Sequence, residues 1–477
     1  MPRPPRTVLK GYDRMRKWRQ RLASRGVMCA LWVALCFGVT SAVYLSWLDR
    51  LVALTGDRAT NWLSMGAGYL LQAAGMAAAV GFIRRRGGGD FATAMTGAAL
   101  LFAAVSVPAL LTDSTVSVVC FGMLMNLLCG IISGFYLYAV GINVPAERRG
   151  LAFGGSYAAA TIAVGLLALI DGGRLLHGAW ALLIYLPLSV AMGPMAARGR
   201  LLCSPGDAPR QSDTAEKLLP LACAVIVLLS AVKNMGFSFP SADIEAGLIP
   251  ELSRLPYALG LAAAGFINDK NRRYGMACTL AALILPFIML GLTRESVPSA
   301  ICWGLDYLFF GFFSVFRATL FMDIADRAGR WYLAPLGLLM GRLGDVAGTV
   351  VSLLLLEHRV ALIAVTTLAF FPTALLFYLL YRRLYEPEVA QERSAQEVFD
   401  TFCLHNDLSA REREVLRMIL DNRTNGEIAE ALFITESTVK YHVRNVLQKA
   451  GCKNRGELQR KYTLALYPRL DGAAQTE

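Results

Sequence analysis

Lys440, Tyr441, Arg444 and Asn445 recur at i, i+1, i+4 and i+5 near the C-terminus. On a helix that spacing places all four on one side, opposite Val439, Val443 and Val446. Long hydrogen-bond donors on one helical face are the chemistry of base-edge reading in a DNA major groove. Thr435, Ser437 and Thr438 stand at the start of the same stretch, where hydroxyls and free amides suit phosphate oxygens. A second set, Lys233, Asp306, Arg342 and Asp345, falls inside apolar runs. A charge near the middle of a membrane helix costs about 2.5–3.5 kcal/mol on insertion scales, so it faces a partner or a polar cavity. Arg342 and Asp345 are three apart and share a helix face. Two uses fit these charges: salt bridges between helices, or the floor of a cavity for a small ligand, with Glu251 and Arg254 as further members. No pattern identifies that ligand.

Other chemistry is not written in the chain. The four histidines are dispersed, and the ten cysteines form no C-x-x-C or zinc spacing. Several cysteines, such as Cys29, Cys36, Cys120 and Cys129, lie in apolar runs and read as small buried residues. Gly87-Gly88-Gly89 lacks the rest of a phosphate loop. The expectation is a protein that is no enzyme, with no catalytic residue, metal or cofactor.

The candidate DNA-reading face needs a small helical scaffold, and the flanking sequence spells one. Ser409-x-x-Glu412 and Thr424-x-x-Glu427 are capping boxes, and Thr435-x-x-Thr438 is an imperfect third. Apolar residues follow at helical spacing: Val415, Leu416 and Ile419, then Ile428, Ala429 and Leu432, then Val439, Val443, Val446 and Leu447. Phe433-Ile434-Thr435 makes a turn of helix-turn-helix length.

This text closely resembles the LuxR-type (FixJ/NarL-like) helix-turn-helix. The matching residues are Leu408-Ser409-x-Arg411-Glu412-x-Glu414-Val415-Leu416, Asn425-x-Glu427-Ile428-Ala429, Thr438-Val439-Lys440-x-His442-x-x-Asn445, Lys449-x-Gly451 and Arg455-x-Glu457-Leu458. Ala450 departs from the Leu or Met usual before the glycine. The resemblance implies a four-helix DNA-binding domain that reads bases from Lys440, Tyr441 and Arg444. It also implies pairing of two subunits through the helix after Arg455, with Leu458, Lys461, Tyr462 and Ala465 as the dimer face. Tyr441 is larger than most residues at its position, and His442 is expected to be structural or phosphate-facing. Arg383 to Leu408 leaves no room for a phosphorylated receiver domain.

The rest of the chain is of another kind. Only 17% of residues are charged, against about 25% in soluble domains, and the deficit lies in residues 27–382. Apolar segments of the length that crosses hydrocarbon run near 27–47, 62–83, 91–111, 116–140, 151–170, 178–196, 218–239, 247–267, 274–292, 297–321, 331–356 and 359–381, about twelve in all. The first, Val27 to Trp47, is too long for the hydrophobic part of a cleaved signal and reads as a retained span. Alternate connections are basic: Arg84-Arg85-Arg86, Arg148-Arg149, Arg198 to Lys217, Lys270 to Arg273, Arg327 with Arg330, and Arg382-Arg383. Lys and Arg collect on the cytoplasmic side, so both termini are expected in the cytoplasm of a bacterial inner membrane. Much of the net charge of +12 stands before the first span, from Arg3 to Arg25, as a topology signal that also touches anionic lipid.

The loop from Arg198 to Lys217 divides the spans six and six, the plan of a repeated transporter bundle. Gly265, Asp269, Lys270, Arg272 and Arg273 resemble the loop after span eight of the major facilitator superfamily, with Asn271 in place of its second glycine. The corresponding loop after span two, Gly81 to Arg86, lacks the aspartate, which weighs against active transport.

The expected architecture is all-α: a basic segment (1–26), a transmembrane bundle (27–382), a linker (383–406), a four-helix DNA-binding domain (407–467) and a tail (468–477). Within the linker, Glu386 to Leu404 forms an amphipathic pattern with Val389, Val398, Phe399 and Phe402, either a spacer or a coupling or dimerising helix. The expected function is a membrane-bound regulator whose membrane half senses a small molecule and controls DNA binding. Its expected partners are double-stranded DNA, the lipid membrane, an unknown small-molecule ligand, a second copy of the chain and RNA polymerase. A transporter with a fused regulatory domain, and a regulator on an inert anchor, are the other readings.

Overall fold

The computed structural model describes residues 6–56, 58–86, 89–170, 179–203, 213–237, 255–285, 287–288, 299–355 and 357–466. Among these residues it is helical with no strand, only an isolated bridge between Asp90 and Cys203. The chain separates into two compact units, Met1–Tyr381 and Arg382–Glu477.

The first unit contains α1 (Arg6–Thr55), α2 (Arg58–Arg86), α3 (Ala92–Leu111), α4 (Thr115–Asn143), α5 (Arg149–Ile170) and α6 (Ala179–Gly199). It continues with α7 (Asp213–Phe237), α8 (Leu255–Lys270), α9 (Arg272–Ala282), α10 (Ser299–Ala328), α11 (Leu336–Leu354) and the first part of α12 (Arg359–His405). Among the described residues ten helices are long and apolar enough to cross a membrane. Of the expected spans eight and nine, α8 (16 residues) and α9 (11 residues) are described together with residues 283–285 and 287–288, and residues 247–254, 286 and 289–292 lie outside the described residues. Leu183, Leu368, Phe371 and Val116 stand more than half exposed on the outside of the unit. Such a surface is stable against hydrocarbon rather than water, so the protein is a multi-pass membrane protein.

The helix pairing repeats at a step of six. Helix α1 packs on α5 as α7 packs on α11, and α2 packs on α4 as α8 packs on α10. Between the two halves, α2 meets α11 and α5 meets α8, again the same pair advanced by six. The α5–α8 crossing is close enough that a Cβ on Gly150 would lie 2.7 Å from the Gly265 carbonyl oxygen, so both positions require glycine. Buried indoles are satisfied across helices, Trp32 Nε1 donating to the Met192 carbonyl (2.8 Å) and Trp47 Nε1 to that of Val118 (2.9 Å).

One end of the bundle is clasped by charge. The Asp269 carboxylate accepts from the amides of Gly150 (2.7 Å) and Leu151 (2.6 Å) at the start of α5, where the helix dipole favours an anion. Arg272 bonds Asp323 (2.8 Å) and Asp269 (2.9 Å), and Arg149 bonds Asp326 (2.8 Å) and Asp323 (3.2 Å). Asp269 and Arg272, expected from the loop pattern, thus tie the second half to α5 of the first.

The second unit contains the end of α12, then α13 (Ala410–Leu420), α14 (Asn425–Leu432), α15 (Glu436–Lys449) and α16 (Arg455–Leu466). Both full capping boxes form, Ser409 with Glu412 and Thr424 with Glu427, and Thr435 caps α15 by accepting from the Thr438 amide. Phe433 turns the chain between α14 and α15 with φ +54°. Val415, Leu416, Ile419, Ile428, Val439, Val446 and Leu458 close one core. Phe399, Phe402 and Cys403, from the segment expected as a linker, are buried in that same core. The α12 side chains of 385–395, Val389 among them, lie outside the described residues.

Candidate DNA-reading face and buried charge cluster

Helix α15 turns Val439, Val443 and Val446 inward, which sends Lys440, Tyr441 and Arg444 out. Tyr441 is 62% exposed, and Asn445 is half-buried at the edge of the face. Among the described residues neither Lys440 nor Arg444 forms an ion pair within the protein, so both are free to meet an anion. They line one shallow groove together with Gln448, Lys453 and Asn425. Gln448 and Lys453 extend the donor set beyond the residues expected from sequence, because the groove is formed by the end of α15 and the turn after it. At the helix start, Thr435 Oγ1 is shared with Ser437 Oγ and Thr438 Oγ1, both at 2.8 Å. All three hydroxyls are therefore gathered at the cap, next to the free amides of the first turn. His442 is half-buried with its ring 5.6 Å from that of Tyr441, and its Nδ1 is buried without a hydrogen-bond partner among the described residues.

In the membrane unit, Asp345 of α11 is the hub of the buried charges. Its carboxylate lies 2.8 Å from Lys233 Nζ of α7, 3.3 Å from Arg342 Nη1 and 3.8 Å from Arg317 Nη1 of α10. Lys233 Nζ also sits 4.2 Å from the Phe310 ring centre, and the Arg342 guanidinium lies 4.7 Å from that of Tyr69 on α2. Asp306 is not part of this group. It precedes Arg317 on α10 by three helical turns, roughly 16 Å at 1.5 Å per residue, and its buried Oδ2 has no hydrogen-bond partner among the described residues. The expected floor of Lys233, Asp306, Arg342 and Asp345 is corrected to three of those residues plus Arg317. Glu251 and Arg254 lie outside the described residues.

A family model described as bacterial regulatory proteins, luxR family, matches residues 406–461. The spore germination protein GerE of Bacillus subtilis is 46% identical over 50 residues, which are 10% of this chain and 68% of GerE. The chain belongs to the luxR family of bacterial regulatory proteins. The nitrate/nitrite response regulator NarL of Escherichia coli is 48% identical over 52 residues, 11% of this chain and 24% of NarL. The chain thus spans most of GerE but about a quarter of NarL. Among solved structures, the human organic anion transporter MFSD10 aligns over 76% of this chain and 99% of its own, with TM-score 0.52 and 15% identity. The Escherichia coli fucose:proton symporter FucP aligns over 76% and 98%, with TM-score 0.51 and 13% identity. The membrane unit of this luxR-family chain therefore has the fold of major facilitator transporters.

Most luxR-family motif residues in the second unit are occupied with building it. Glu412 closes its capping box and accepts from Lys449 Nζ (2.7 Å), which also donates to the Asp407 carbonyl (2.7 Å). Arg411 donates to the Leu432 carbonyl (2.8 Å), and Arg455 donates to the Arg423 carbonyl (2.7 Å) and to Asn425. Burial pushes the Glu412 carboxyl up, but hydrogen bonds from Lys449 and Ser409 outweigh it and hold the group below its ordinary value. The expected dimer face needs one correction. Leu458 is fully buried in the unit's own core and offers nothing to a second subunit. Tyr462 packs edge-on against Phe402 (5.5 Å) and Phe399 (6.3 Å), and Lys461 Nζ donates to the Ala450 carbonyl (2.7 Å). Ala465 is exposed.

Proposed function

We propose that this chain is a membrane-embedded transcription regulator, in which the membrane unit senses a small molecule and so governs how the second unit engages DNA. The observation that carries this is a luxR-family DNA-reading unit in the same chain as ten membrane-capable helices, with Lys440 and Arg444 left free. Lys440, Tyr441, Arg444 and Asn445 read bases in the major groove, and Thr435, Ser437 and Thr438 hold phosphate. The alternation of basic connections supports a bacterial inner membrane with both termini cytoplasmic, where DNA is reached. The regulator acts as a dimer through α16, using Lys461, Ala465 and the outer edge of Tyr462, and presents RNA polymerase to, or withholds it from, a promoter. A ligand moves the equilibrium only by its differential affinity for the two states of the bundle.

The test is the transcript profile of cells carrying the wild-type chain against Lys440→Ala/Arg444→Ala. A compact set of transcripts should lose its regulation while the amount of membrane-inserted protein is unchanged. Regulation that survives the double substitution would show that the third helix does not read DNA. A working transporter with a fused regulator is the second reading, favoured by the transporter fold and by the intact Asp269–Arg272 clasp. Solute counterflow in vesicles containing the purified chain would support it.

A further inference from the structure

We propose that the sensed molecule is a small organic carboxylate with an apolar body, and that it binds at Arg317, Arg342 and Lys233 around Asp345. This deepens the reading of the membrane unit as a sensor and rests on it. The charge balance points to the class. Among the described residues three cations share a single carboxylate, which leaves two positive charges over when all four groups are ionised. The Arg317, Lys233 and Asp345 side chains are only 6%, 8% and 2% exposed. Charge held away from water without a counter-charge is costly, and membrane helices carry it where a partner or ligand compensates it. The other described acids of the second half are distant or engaged. Asp306 lies three turns along α10, Glu357 stands beyond the end of α11, and Asp269, Asp323 and Asp326 are bound by Arg149 and Arg272.

The donors still open have the geometry of the same ligand. The Nε atoms of Arg317 and Arg342 are both buried with no hydrogen-bond partner among the described residues. A guanidinium that offers Nε together with an Nη makes the paired contact that fits the two oxygens of a carboxylate. Arg342 is the most open of the four at 23% exposure, so the ligand arrives on its side. There the Tyr69 ring lies against the guanidinium and the Phe310 ring against Lys233, which supplies apolar surface beside the charge. Asp345 holds Lys233 at 2.8 Å but the arginines at 3.3 and 3.8 Å. An incoming carboxylate therefore competes with Asp345 for the arginines first and leaves the lysine pair standing. Because the arginines stand on α10 and α11 and the lysine on α7, that exchange changes how three helices of the second half are tied together.

The experiment uses the full chain in lipid nanodiscs at constant ionic strength, followed by thermal unfolding. The probes are acetate, succinate, benzoate and phenylacetate, with inorganic phosphate, and with benzamide and phenylacetamide as neutral counterparts. At least one carboxylate with an apolar body should raise the unfolding temperature, and its amide should not. Arg342→Gln should weaken the apparent affinity about tenfold or more, with Arg342→Lys falling between, because one charge-assisted pair is lost or made single. Lys233→Met serves as the second variant if Arg342→Gln does not insert. Stabilisation by the amide as strongly as by the acid, by phosphate alone, or equally in all variants would overturn the proposal, as would a flat response to every carboxylate. Transcripts separate this from the sensor reading. If a carboxylate binds at Arg342 but leaves the Lys440-dependent and Arg444-dependent transcripts unmoved, the site stands and sensing fails. If those transcripts answer to a neutral compound, sensing stands and the anion site fails.

Discussion

Glu412 shows how much one side chain carries in the second unit. It returns a bond to the Ser409 amide (2.8 Å) and pairs with Lys449 (2.7 Å), so it joins the start of α13 to the end of α15. Glu412→Ala should cost about 1–2 kcal/mol, the range for a lost cap, read as a lower denaturant midpoint for unfolding of that unit. The folded carboxyl titrates below its ordinary value of 4.5. Its contribution is therefore complete above about that pH and is lost as pH falls through the lower folded value. The stability gap between wild type and Glu412→Gln should close in acid and stay constant near neutrality. Phe433 gives the opposite case. It is 95% exposed and left-handed at φ +54°, a conformation that Asn adopts more readily. Phe433→Asn should stabilise the unit by about 0.5–1 kcal/mol, and a fall in its denaturant midpoint would show that the exposed ring contributes more than the strain. The capping residues and the α15 face were legible because both are local, set by spacings of three and four. Membership of Arg317 in the charge cluster was not, because its partner Asp345 stands on the next helix and spacing along α10 says nothing about it. The signal that was available is a cation inside the same apolar run as Asp306.

At the scale of elements, the end of α12 is the part whose pattern was readable and whose place was not. The spacing of Val398, Phe399 and Phe402 announces a buried stripe, since amphipathic spacing tells which face is covered. It does not tell what covers it. The stripe lies in the core of the second unit, beside Tyr462 and under the Arg417 guanidinium 4.7 Å from the Phe399 ring. Phe402→Ala should therefore destabilise that unit by about 3 kcal/mol, the cost of emptying an aromatic core site. Leu458 makes the same point for α16. Family resemblance assigns its helix to pairing, and burial assigns this one residue to the core. Leu458→Ala should lower stability by about 2–5 kcal/mol equally at low and high protein concentration, whereas a dimer contact would give a loss that depends on concentration. Spans eight and nine were legible as apolar length, and α8 and α9 cover the parts of them that are described.

The membrane unit, four fifths of the molecule, repeats itself, and the repeat shows in the sequence mainly through arginine. Alternating basic connections and the long central loop mark two sets of six spans, because topology is set by Lys and Arg near the helix ends. The α2–α11 and α5–α8 contacts that join the sets were not legible, since they bring together residues far apart in the chain and need only small side chains such as Gly150 and Gly265. Topology itself is testable with reporters. A fusion after Leu466 in the second unit and one in the Glu147 connection should both report cytoplasm, and a fusion at Asp113 should report the far side. A cytoplasmic signal at Asp113 would invert the assignment. In the proposed orientation, with the basic connections inward, the clasp of Arg149, Arg272, Asp269, Asp323 and Asp326 ties the two halves together at the cytoplasmic end of the bundle. If the proposed sensor is closed at that end, it samples the surroundings and not the metabolic pool. The cell would be informed of a compound on offer before importing any of it, and rapid consumption indoors would not switch the message off.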